Sequence, residues 1–83
     1  KWIPGRLCFR DRLKVAFQGN KGYELEKAKQ ECELECDNRS DCQFGSLYFT
    51  ANRQDCYLHG RDCGNWQSYE HRLYYLYKKG MSA

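Results

Sequence analysis

KAKQECELECDNRSDCQFGSLYFTANRQDCYLHG, residues 27–60, carries the cysteine pattern that decides the fold. Cys32 and Cys36 lie four apart in an acidic, helix-forming run, so they share one side of a helix. A bridge between them inside regular helix would be strained. Each is therefore expected to reach a different partner, stapling one helix to two places in the domain. Cys42 follows after five residues, and Cys56 sits in the short apolar piece DCYLHG.

The helix is expected over about 24–37. Glu24 and Glu26 stand where a helix N-terminus favours negative charge. Leu25, Ala28, Cys32 and Cys36 form a narrow apolar face at helical spacing. Residues 43–50, dense in Phe44, Leu47, Tyr48 and Phe49, read as a strand. Ala51 to Gln54 reads as a hairpin connection, with Cys56 to His59 as the return strand. A polar loop, 60–70, leads to a last strand at 71–78, and 80–83 reads as a frayed tail. Upstream, Leu7, Phe9, Leu13, Val15 and Phe17 take odd positions, while Arg6, Arg10, Arg12 and Lys14 take even ones. That alternation predicts one or two half-buried strands. Asp11 breaks it and marks a turn or bulge at Arg10-Asp11-Arg12.

A chain of 83 residues is one domain with a thin core that needs cross-links. Six cysteines without a CxxC pair favour a disulfide framework in an oxidising compartment. Spacing alone leaves fifteen pairings open. The first residues read as a mature or trimmed start, and no apolar run nears the length of a membrane span. The net charge of +3 hides a segregation. Between Glu24 and Cys42 there are seven acids and three bases; elsewhere there are eleven bases and four acids. The helix is thus acidic and the remaining elements should present a basic surface.

The stretch from Cys32 to Leu58 resembles the PAN/apple domain. That family has a helix ending in C-x3-C, a cysteine about five residues on, an aromatic strand, and a late cysteine followed by an aromatic or aliphatic pair. Here these match Cys32, Cys36, Cys42, the Phe44 to Phe49 strand, and Cys56-Tyr57-Leu58. The closing LYYLYK is similar to the family's final strand, and the resemblance spans about residues 5–79. It implies an α+β fold, one helix on a curved antiparallel sheet, with bridges Cys32–Cys56 and Cys36–Cys42. The remaining pair is Cys8–Cys63; Cys63 falls earlier than the family's terminal cysteine. It also implies a secreted or cell-surface adhesion module, standing alone or within a larger protein. Some members of the family bind heparin or galactose and others bind proteins.

Two candidate sites follow. Arg6, Arg10, Arg12 and Lys14 form a basic stripe suited to anionic glycan, because guanidinium forks match sulfate and carboxylate; Arg72 and Lys78 would extend it. The loop RDCGNWQSYEH, 61–71, sets aromatic planes among polar groups, as a sugar requires. Its candidates are His59, Asp62, Asn65, Trp66 and Tyr69. Each has an ordinary alternative: a solvated strand face for the stripe, a core plug for Trp66. Tyr74, Tyr75 and Tyr77 alternate on the last strand, so one parity should be core and the other a possible protein-binding patch.

His59 and His71 fit no zinc spacing, so no metal and no cofactor are expected. Neither a nucleophile elbow nor a phosphate loop is present, so an enzyme is not expected. Asn38-Arg39-Ser40 is a glycosylation sequon inside the Cys36 to Cys42 segment. The expected partner is a glycan, with an extracellular protein (receptor, matrix or protease) as the alternative; nucleic acid is not expected.

Overall fold

The computed structural model describes residues 2–65 and 69–80. Helix α1, Leu25–Asp37, packs on one face of a five-stranded antiparallel sheet. The strands are β1 (Trp2–Leu7), β2 (Arg12–Phe17), β3 (Phe44–Thr50), β4 (Arg53–His59) and β5 (Tyr69–Lys78). Their order across the sheet is β1-β5-β3-β4-β2, so β1 and β2 are opposite edges. Among the described residues no helix is long and apolar enough to cross a membrane.

α1 forms where the apolar spacing predicts. Ala28, Cys32 and Cys36 recur every four residues and are fully buried. Lys27 pairs with Glu31 at 3.2 Å and Lys29 with Glu26 at 3.6 Å, each worth a few tenths of a kcal/mol at such exposed positions. At the C-terminal end the Lys79 Nζ donates to the carbonyls of Cys36 (3.2 Å) and Arg39 (2.8 Å). A cation there satisfies orphan carbonyls and opposes the helix dipole.

All three bridges form: Cys32–Cys56 ties α1 to β4, Cys36–Cys42 ties its end to the approach to β3, and Cys8–Cys63 joins the segment after β1 to the 3-10 turn Arg61–Asn65. Beneath α1 lie Leu47, Leu58 and Tyr77, with Trp2, Phe17, Tyr23 and Phe49 around them. Tyr77 and Tyr75 take the helix side. The Tyr77 hydroxyl donates to Asp37 at 2.7 Å, and burial with that carboxylate holds its pKa well above the usual phenol range.

Several details depart from the sequence pattern. β1 begins at Trp2, ahead of the alternating residues, and the stretch expected to be loop holds a 3-10 turn, Arg61–Asn65, and the start of β5 at Tyr69. β4 starts at Arg53, leaving only Ala51 and Asn52 in the turn. Gln54 and Asp55 looked like loop residues because they are polar, yet both are buried. Distant backbone groups satisfy them: Gln54 Oε1 accepts from Lys21 N–H (2.8 Å), its Nε2 donates to Thr50 O (2.8 Å), and Asp55 Oδ1 accepts from Gly19 N–H (2.9 Å). The parity of β2 is also interrupted. Its register against β4 slips between Arg12 and Lys14 and again between Val15 and Phe17. Arg12 therefore stands opposite His59, whereas Lys14 stands opposite Leu58 on the other face.

Between β1 and β2 the chain must travel from one edge to the other. Residues 8–11 make that crossing as a strap over the helix-free face. Cys8 N–H donates to Ser46 Oγ of central β3 at 3.0 Å, and that hydroxyl returns a bond to Cys8 O at 3.3 Å. Arg10 O accepts from His59 Nδ1 at 2.8 Å. Asp11 turns the chain with φ 55°, and its carbonyl accepts Gly60 N–H at 2.9 Å. A Cβ at Gly60 would run into the Asp11 carboxylate, which would have to swing aside to admit it.

Candidate functional site

The face opposite α1 carries the other parity of β3, β4 and β5. Ser46 stands opposite Tyr57 and Leu76, and Tyr48 opposite Asp55 and Tyr74. Strand alternation thus sends Tyr48, Tyr57 and Tyr74 to one side while Leu47, Leu58 and Tyr75 go to the other. The three tyrosines are half-buried and face away from α1. The Tyr48 and Tyr74 rings lie 5.2 Å apart, and the His71 ring meets Tyr74 edge-on at 5.1 Å. The guanidinium of Arg12 sits 4.7 Å over the Tyr57 ring.

Asp55 organises this row. Its Oδ2 accepts from Arg53 Nε at 2.8 Å and from the Tyr57 hydroxyl at 3.3 Å. Burial, then the Asp55 charge, pushes the Tyr57 hydroxyl above the ordinary phenol pKa; burial does the same to Tyr74. Both phenols stay protonated donors at neutral pH.

Where the row meets the strap there is a cavity of about 80 Å³ lined by Leu7, Phe9, Arg12, Tyr57, His59 and Tyr74, with Cys8 and Ser46 at its side. His59 is 1% exposed. Its Nδ1 contacts Arg10 O, and its Nε2 is buried without a hydrogen-bond partner among the described residues. Burial lowers its pKa below the usual imidazole value; Arg12 lowers it further, against the Arg10 carbonyl and Asp11, which raise it.

The basic candidates are dispersed. Arg6 lies on edge strand β1, Arg10 in the strap, and Arg12 and Lys14 on the opposite edge strand. Arg12 stands on the tyrosine row, over Tyr57. Of the loop candidates, His59 lines the cavity, and Asp62 is exposed with its N–H donating to Asp11 Oδ2 at 3.3 Å. Trp66 and the side chains of Asn65 and Tyr69 lie outside the described residues. Asn38 of the sequon is exposed at the C-terminal end of α1.

Sequence reasoning passed over Tyr48, Tyr57, Ser46 and Asp55. The signal was present: each occupies the parity opposite to Leu47 and Leu58 on adjacent, paired strands. A second depression, about 350 Å³, borders Asp11, Asp41 and Arg61. Its acids are already engaged, Asp41 by Arg39 (2.9 Å) and Asp11 by the Asp62 N–H. No family model, curated protein or solved structure matches the chain.

Proposed function

We propose that this chain is an extracellular adhesion module of PAN/apple type that binds carbohydrate on its helix-free sheet face. The observation that carries the reading is the half-buried row Tyr74, Tyr48, Tyr57, capped by Arg12 over Tyr57. A sugar presents a C–H face that stacks on such rings and hydroxyls that bond to guanidinium and phenol groups. Three bridges in a small domain fit an oxidising, extracellular setting. The C-x3-C helix, its two staples and the single helix on an antiparallel sheet support the family reading.

A glycan array run at two salt concentrations tests this. Saturable binding is expected, lost in both Tyr57→Ala and Arg12→Ala. Binding that persists at high salt points to stacking; binding that collapses points to an ionic patch. An array without hits, together with capture of one extracellular protein through the same tyrosines, would replace the carbohydrate with a protein partner.

A further inference from the structure

Building on the extracellular reading, we propose that Asn38 is a modification site and carries an N-linked glycan at the end of α1. The sequence supplies the acceptor triplet, Asn38-Arg39-Ser40, whose middle residue is not proline. The structure supplies a use for Arg39 and none for the two residues beside it. Arg39 N–H donates to Cys36 O at 3.1 Å, and its carbonyl accepts Cys42 N–H at 3.2 Å and Lys79 Nζ at 2.8 Å. Its guanidinium forks onto the Asp41 carboxylate, with both bonds at 2.9 Å. Asn38 and Ser40 are exposed, and neither side chain holds a hydrogen bond among the described residues.

The backbone gives no reason for asparagine at 38 either. Asparagine recurs at helix ends because it tolerates positive φ. Asn38 has φ −82° and ψ −1°, a conformation that other residues adopt freely. Its N–H donates to Leu34 O at 3.0 Å, which continues the helical spacing and sets the two Cβ atoms about 5–6 Å apart. Leu34 is 55% exposed, an unusual loss of apolar burial in a small domain. The C–H face of a first sugar on Asn38 lies within reach of it. On the other side, Ser40 borders the depression of about 350 Å³ shared with Asp41, Gln43 and Arg61. The triplet therefore has open room on both sides, as a bulky surface modification requires.

The donor is a lipid-diphosphate-linked oligosaccharide, the class used in secretory compartments. The Asn38 side-chain nitrogen attacks the anomeric carbon of its first sugar. A C–N bond forms, the anomeric C–O bond to the diphosphate breaks, and the lipid diphosphate leaves with the electron pair. A base of the transferring enzyme takes one amide proton. The Cys36–Cys42 bridge sets the timing. It closes a ring of sequence separation 6 around the triplet, and the Arg39 bonds hold that ring as a turn. A turn locked this way resists being drawn into an enzyme groove, so transfer comes before the bridge closes. Asn38 and Ser40 both precede Cys42 in the chain, so they emerge from synthesis before the ring can form.

The test is secretion of the full chain, behind a cleavable leader, from cultured eukaryotic cells. Intact mass is read before and after peptide N-glycosidase, and free thiols are counted on the same sample. Most copies of the secreted, fully bridged chain should carry about 2 kDa of glycan that the enzyme removes. Asn38→Gln and Ser40→Ala, both surface changes, should each lose that mass entirely, and Ser40→Thr should keep it. A bridged chain secreted mainly without glycan would overturn the assignment and leave the extracellular reading intact. So would glycan that appears only in the pair Cys36→Ala and Cys42→Ala, because the native ring would then close first. A chain retained in the cells with free thiols would bring down both readings.

Discussion

Leu47 and Tyr48 are neighbours in β3, yet they belong to opposite worlds. On the Leu47 side, Leu58, Ala28 and four bridged cysteines are sealed to zero exposure under α1. On the Tyr48 side, the half-buried Tyr57 and Tyr74 and the exposed Arg12 form a polar-aromatic row that faces away from α1. One sheet thus divides its labour. Two staples and the larger apolar cluster hold the fold from one side; the other side keeps a smaller cluster of Cys8, Cys63 and Leu76 with the third staple, and beside it the tyrosine row. A small domain needs that division, because a thin core leaves little stability to spare for a binding surface.

The largest test removes a staple. Replacing Cys32 and Cys56 together by Ala frees a loop of 24 residues' separation, worth about 3.5 kcal/mol of chain entropy. At this size that lowers Tm by about 20 °C, readable by calorimetry. A drop of only a few degrees would break the comparison. Next comes the neighbouring pair itself. Leu47→Ala should cost about 3 kcal/mol in urea unfolding, by lost burial and a residual cavity. Tyr48→Ala should cost about 1 kcal/mol or less and act on glycan binding. Equal costs would show that both faces are core.

Lys79→Met is smaller and sharpens the account of the covered face. It deletes two bonds to the end of α1 and should cost about 1 kcal/mol, with helix fraying visible in amide exchange. Smallest is a pH effect at the seam between the faces. The folded His59 pKa lies below its unfolded value of about 6.5, so unfolding takes up a proton in that window. Its contribution is full above pH 6.5 and is lost as pH falls through the folded pKa. Tm should fall more from pH 7 to 5 in the native chain than in His59→Asn, which keeps a donor for Arg10 O. Superimposable pH profiles would remove His59 from this role.

The covered face was readable because its determinants are local. Four-residue spacing places Ala28, Cys32 and Cys36 on one side, and Leu47 and Leu58 follow strand alternation. The open face was harder for two physical reasons. Strand order depends on pairings distant in sequence, so Arg6 and Arg12 look like one stripe while occupying opposite edges. Buried polar groups are recognisable only through their partners, and those of Gln54, Asp55 and His59 lie 33, 36 and 49 residues away. The basic surplus outside the helix was correctly counted, but β2's two register slips distribute it over both faces.

The strap across the open face gives the tyrosine row a flank. Row and strap both run across the strands, from the β5 side toward β2, so the two lie side by side. Anchored on Ser46, His59 and Gly60, the strap forms a kerb along one long side of the rings, and the β3–β4 turn lies beyond the other. A body resting on the rings would be held against that kerb and would have to arrive from the side of the turn.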